Sequence, residues 1–225
     1  EIGMYQDQPM WCAYEAIMRE HFGSHPLGNS VLGSSESVGG MSHPQMKGYF
    51  DRRYVTGNLL VGVAGHFDWQ QFCDLIAAQG SSWPTGPASR HVLPAAGTGG
   101  FRVLTQKKIQ QEHILLMASA PPAESADRFG ADVLASAVGD GTGSRLFWEL
   151  VDPGLAETAE LDYHEFHGTG TFMTYICCEP DNVRECVDRV RKIYSQVNVE
   201  NIAPEELQQV KNKAASRIVL RSERP

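Results

Sequence analysis

The sequence predicts an α+β protein, a mainly antiparallel sheet packed with helices. Three observations predict it. Apolar residues recur at helical spacing in several segments, and between them stand short apolar runs of strand length. The later strand candidates follow one another at hairpin-scale spacings, as antiparallel neighbours do. Residues 80–100 are rich in Gly, Pro, Ser and Thr, hold three prolines and show no period, so they read as a linker between two folded parts.

Taken in order, residues 9–22 form a helix. Pro9 stands near its start, Met10, Tyr14, Ile17, Met18 and Phe22 share a face, and Gly23 stops it. A Gly- and Ser-rich loop follows to residue 41. Ser42 and Gln45 then have the spacing of a capping box, in which each side chain satisfies a backbone N–H at the other's position. Met46, Tyr49, Phe50 and Tyr54 continue that helix as a buried stripe. The run Leu59-Leu60-Val61-Gly62-Val63-Ala64 suits a strand buried on both faces. Asp68 caps the next helix, with Trp69, Phe72, Leu75 and Ile76 turned inward.

Beyond the linker, residues 101–105 and 113–118 are expected strands. A helix over about 124–138, a Gly-rich loop at 139–143 and a second helix through 145–150 come next. Strands near 161–166 and 171–177 follow. Asp181 caps a helix whose Val183, Cys186, Val187, Val190, Ile193 and Tyr194 share a face. A last helix begins around Pro204, whose missing N–H costs nothing in a first turn, with Leu207, Val210, Ala214 and Ile218 on one stripe.

With 42% apolar and 20% charged residues, the 225-residue chain has enough apolar material for one large core or two small ones. A formal net charge of -8 with scattered Lys and Arg argues against a nucleic-acid partner. No apolar run approaches the ~20 residues that span a bilayer. Cys12, Cys73, Cys177, Cys178 and Cys186 have no Cys-x-x-Cys spacing and sit mostly on apolar faces, so they read as free core thiols, compatible with the cytoplasm. The compartment is otherwise unspecified, because a piece of a longer polypeptide would have lost any leader.

The residues that carry the most information are Glu1-Ile2, Asp7 and Pro9, then His25-Pro26-Leu27-Gly28, Gly33 and Glu36. This arrangement resembles the segment that follows the zinc motif in the pitrilysin/insulinase family of zinc metallopeptidases, which includes the mitochondrial processing peptidases. Tyr54 with Asn58, the apolar run and Gly65 match a second family pattern. Gly143-Ser144-Arg145-Leu146-Phe147, Glu149-Leu150 and Gly154-Leu155-Ala156 match others, so the resemblance covers nearly the whole chain in the right order.

The resemblance implies a LuxS/processing-peptidase-like metalloprotease fold of two related α+β half-domains. Residues 1–80 would be the remainder of the first, zinc-side half, 81–100 the linker, and 101–225 most of the second half, cut at its C-terminal end. It also implies that Glu1 is the third zinc ligand. The two histidines of the family's His-x-x-Glu-His motif would lie upstream of this chain, which is therefore expected to be an internal fragment. Zinc would belong to the full-length parent only. Zinc hydrolysis needs three protein ligands and one open position for water, whose pKa the metal lowers. A lone Glu1 is expected neither to bind zinc tightly nor to support cleavage, so no catalytic residue is assigned within the chain.

Other candidate sites are weaker. His21 and His25 stand four apart, but Gly23 breaks the helix between them, and His25 is expected to hold loop backbone or terminate a helix. His164 and His167 alternate to opposite faces of a strand. The loop with Gly141, Gly143 and Ser144 lacks the Lys of a phosphate-binding loop, and Asp140 would repel an anion. In the resembled family a loop of this kind faces the central chamber and contacts substrate. Relatives that bind substrate through the second half carry an Arg and a Tyr that hold peptide carbonyls and stabilise the oxyanion. Here Val151 and Glu157 occupy those positions, and neither can donate a hydrogen bond to an oxyanion.

The leading expectation is therefore a zinc-bearing peptidase subunit, acting on short or unfolded peptides held as an added strand on a sheet edge. A second peptidase-like subunit, or self-association, would supply the missing Arg and Tyr. The rival is a non-catalytic scaffold or assembly subunit of the same fold. A small independent binding domain is a third possibility.

Overall fold

The computed structural model describes residues 1–87, 91–107 and 109–222. They gather into two compact units, one built from Glu1–Gly33 with Val92–Ser222 and the other from Ser34–His91.

The first unit is organised by three strands, β1 (Glu112–Ala120), β2 (Thr158–Phe166) and β3 (Thr169–Cys178). All pairings are antiparallel and β3 is central, in the order β1-β3-β2. The hairpin between β2 and β3 turns at Gly168, whose φ of 77° favours a residue without Cβ. The register places Phe172, Thr174 and Ile176 of β3 beside Ala118, Leu116 and Ile114 of β1 and beside Tyr163, Leu161 and Ala159 of β2. Because side chains alternate along a strand, these residues form one apolar face.

That face is covered by helices α6 (Arg128–Gly139) and α7 (Val183–Glu200), with a π-helical turn at Phe147–Val151. Leu146, Leu150, Ile176, Cys186 and Val190 are all fully buried there. The end of α6 lies so close to β2 that a Cβ on Gly139 would overlap the backbone of Leu161. The opposite face of the sheet carries Leu115, Met117, Met173 and Phe166, and it receives Met18 and Phe22 of α2 (Pro9–Phe22). Helices thus pack on both faces. β3 is the reason: it is apolar or buried at nearly every position, so both of its sides need cover. A short helix α1 (Ile2–Gln6) precedes α2. Residues 101–105, expected as a strand, are not one, and Phe101 and Val103 are largely exposed.

The second unit has helices α3 (Ser35–Gly39), α4 (His43–Arg53) and α5 (Trp69–Gly80). Their local signals form as the sequence dictates. Ser42 and Gln45 make the capping box, and Asp68 Oδ1 accepts from the Gln71 N–H at 2.8 Å. The apolar stripes do not end up buried. Met46, Tyr49, Phe50 and Tyr54 of the α4 face are each at least half exposed, as are Trp69 and Leu75 of α5. Residues 59–64 are not a strand, and Leu60 is 99% exposed. Gly57 bridges to Pro87, but no ladder continues from there. A strand exists only with a neighbour to take its backbone bonds, and none lies beside this run among the described residues. The remaining helix, α8 (Pro204–Ser222), belongs to the first unit and packs beside α6. Among the described residues no helix is long and apolar enough to cross a membrane.

Candidate functional site

Glu1 lies at the N-cap of α1 with an exposed side chain that makes no capping bond. Its carbonyl accepts from the Tyr5 N–H at 3.2 Å. Among the described residues no group of three or more His, Cys, Asp and Glu side chains could hold a metal. One carboxylate is a third of what a zinc site requires, so the residues present do not by themselves fit the metal, and no chemical step is derived through it.

Several of the histidines and cysteines have structural explanations. The Nε2 of His25 lies 3.0 Å from the Leu93 carbonyl, which can only accept, so Nε2 carries the proton. Nδ1 then accepts from the Leu27 N–H at 3.2 Å, and His25 holds loop backbone as expected. His167 meets Glu124 at 2.7 Å on the surface. Burial raises the thiol pKa of Cys177 and Cys186 and pushes Cys178 up to about 12, which makes them poor nucleophiles at neutral pH.

The loop after α6 is shaped by its glycines. Gly141 and Gly143 adopt φ of 60° and 95°, conformations that a side chain would strain. Ser144 turns inward at 3% exposure, where its Oγ accepts from the Phe147 N–H at 3.3 Å and caps the helix that follows. The part open to a ligand is therefore residues 141–143. The helix then widens into the π turn, in which the Asp152 N–H reaches back to the Phe147 carbonyl at 2.9 Å. Such turns concentrate at functional positions, and the apolar periodicity of 145–150 does not reveal one.

Val151 closes that turn and packs, half-buried, against the core. Glu157 lies just before β2, where its N–H donates to the Cys177 carbonyl at 2.8 Å. Its exposed carboxylate accepts from Gln111 Nε2 at 2.6 Å, and Gln111 Oε1 in turn accepts from the Cys177 thiol at 3.3 Å. Nearby, the Tyr175 hydroxyl pairs with His113 Nδ1 at 2.9 Å. Burial, followed by the neighbouring Cys177, raises the Tyr175 pKa, so the phenol stays protonated. Glu160, opposite Tyr175, has its pKa raised by burial and by the nearby Asp162 and Asp140 charges. This polar end of the sheet is what the sequence left unseen. Strand alternation groups Tyr175 with Cys177, but only the register brings them to His113, Gln111 and Glu157. The arrangement offers acceptors and a protonated phenol, and neither Val151 nor Glu157 contributes an oxyanion donor.

Comparison with known proteins agrees with the fold. The profile of the peptidase M16 inactive domain matches residues 40–214. An uncharacterised zinc protease of Mycobacterium leprae is 28% identical over 98% of this chain and 51% of its own length, so the chain spans about half the length of that relative. The crystal structure of a peptidase M16 inactive domain from Pseudomonas fluorescens superposes with a TM-score of 0.83 at 19% identity, covering 95% of this chain and 52% of that one. A chain of complex III2 from Candida albicans superposes with a TM-score of 0.84 at 16% identity, covering 96% and 54%. Sheet, helices and profile together place this chain in the M16 peptidase family, with the family's inactive domain over residues 40–214.

Proposed function

We propose that the parent polypeptide is a zinc-dependent metalloendopeptidase that hydrolyses peptides inside a chamber. Within it, Glu1 is a zinc ligand completed by two histidines from outside this chain, and residues 141–143 face the chamber. The observation that carries the finer reading is the pair Val151 and Glu157. One side chain is folded against the core and the other is an acceptor bonded to Gln111. Oxyanion stabilisation therefore falls to a second subunit or a second copy that carries the Arg and Tyr. The mycobacterial relative's description as a zinc protease supports the metal.

Metal analysis and peptide cleavage by the full-length parent, with and without a partner recovered by pull-down, test this. Zinc near one equivalent and cleavage that needs the partner are expected. Residues 1–225 alone should purify without stoichiometric zinc and leave peptides intact. A parent free of zinc and inactive with its partner would refute the peptidase and favour the second reading, a non-catalytic scaffold, which the resemblance in fold to a complex III2 chain motivates.

A further inference from the structure

Both ends of the glycine turn at 141–143 are bolted to the same helix. On the near side, Lys213 Nζ donates to the Asp140 carbonyl at 2.5 Å and lies 3.3 Å from its carboxylate. Arg217 holds that carboxylate with both nitrogens, at 2.7 and 2.5 Å. On the far side, Arg145 sets its fork on Glu206 at 2.8 and 2.7 Å and reaches the Asn201 carbonyl at 3.1 Å. Glu206, Val210, Lys213 and Arg217 follow one another at i, i+4, i+7 and i+11, so they form a single stripe of α8.

The apolar part of that contact is thin. Val210 is the buried apolar residue of α8, Leu207 and Ala214 are half-buried, and Ile218, expected on the apolar stripe, is 70% exposed. Charge-assisted bonds therefore carry much of the docking. Fork geometry makes the Arg145–Glu206 pair stronger than an ordinary surface pair, yet the partial exposure of both clusters leaves them open to salt.

We propose that α8 is an ionic strap that fixes the conformation of residues 141–143, with Asp140 and Arg145 as its anchor points. Its consequence for substrate rests on the chamber-facing role given to this turn above. Asp140, Arg145, Glu206, Lys213 and Arg217 are then positioning residues: they set how the turn is presented and take no part in bond making.

Amide hydrogen exchange on residues 1–225 tests the strap without any activity. In Asp140→Asn, exchange over residues 141–146 should rise about tenfold, the scale of one charge-assisted bond, while amides of β3 and α7 keep their rates. About 1 M salt should do the same to the unaltered protein and add little to the variant. Glu206→Arg should also release the turn, and combining it with Arg145→Glu should restore protection by reversing the pair. Arg191→Met, at an exposed pair on α7, serves as the charge control and should change nothing in the turn. Unchanged exchange in 141–146 both in Asp140→Asn and in high salt would overturn the proposal, and so would failure of the reversed pair to restore it. In the active parent Asp140→Asn and Glu206→Arg should raise KM with kcat unchanged, and Arg191→Met should change neither. A parent that cleaves nothing would refute the peptidase reading and leave the exchange result standing.

Discussion

The two units obey the same local rules and reach different ends. In the first, Leu146, Leu150, Ile176, Cys178, Cys186 and Val190 are shielded almost completely. In the second, Val55 is the buried apolar residue among those described, although Met46, Tyr49, Phe50, Trp69 and Leu75 offer ample apolar surface. The difference lies in the sheet. β3 gives the first unit a central strand with partners on both edges and helices on both faces, whereas residues 59–64 have the composition of such a strand and no partner among the described residues. Helices of 11 and 12 residues such as α4 and α5 are marginal in water unless one face is covered. A helix signal is therefore sufficient for local structure, and a core requires the sheet.

Core truncation should break this symmetry most clearly. Ile176→Ala removes a side chain with no exposed surface at the middle of the sheet, and should destabilise the first unit by about 2–5 kcal/mol in denaturant unfolding. Phe50→Ala in α4 removes a larger side chain that is 52% exposed, and should change stability by no more than about 0.5 kcal/mol. Equal costs would mean that the α4 face is covered in solution, and the contrast between the units would fail.

The same contrast explains what the sequence could disclose. The bounds of α2, the capping box at Ser42 and the cap at Asp68 depend on neighbours within a few residues, and each was legible. β1, β2 and β3 were legible because their apolar runs are bounded by turns and lie close enough to pair. Residues 59–64 and 101–105 carry an equally good strand pattern, but pairing depends on a partner, which no single segment encodes. The site divides in the same way. The turn at Gly141 and Gly143 and the positions of Val151 and Glu157 were visible as motifs. The anchors from α8 to Asp140 and Arg145 depend on contacts between residues as many as 77 apart.

A smaller effect separates the units in acid. His21 is buried beside Phe22 in the first unit, its Nε2 without a hydrogen-bond partner, and burial lowers its pKa. The described histidines of the second unit are exposed. A folded-state pKa below the unfolded value near 6.5 means that the unfolded chain binds the proton first. The stabilisation is present in full above that value and is lost as pH falls from it through the lowered folded value. Protection of the first unit's amides should therefore decline over this interval, while that of the second stays level. His21→Leu should flatten the decline, and a decline that persists in this variant would assign it to another group.

The finest test uses interactions that should not distinguish the units at all. Asp68 caps α5 in the second unit, and Ser144 caps the helix before the π turn in the first, each by accepting from the N–H three residues on. A cap satisfies a donor that lies within its own turn, so its strength does not depend on a distant core. Asp68→Ala and Ser144→Ala should each cost about 1 kcal/mol, read as faster exchange in the first turn of the helix that each begins. If Ser144→Ala cost several times more than Asp68→Ala, capping too would draw on burial, and the division between local signal and core-dependent packing would have to be redrawn. Equal costs, set beside the disparity between Ile176→Ala and Phe50→Ala, would locate the difference between the units in tertiary pairing alone.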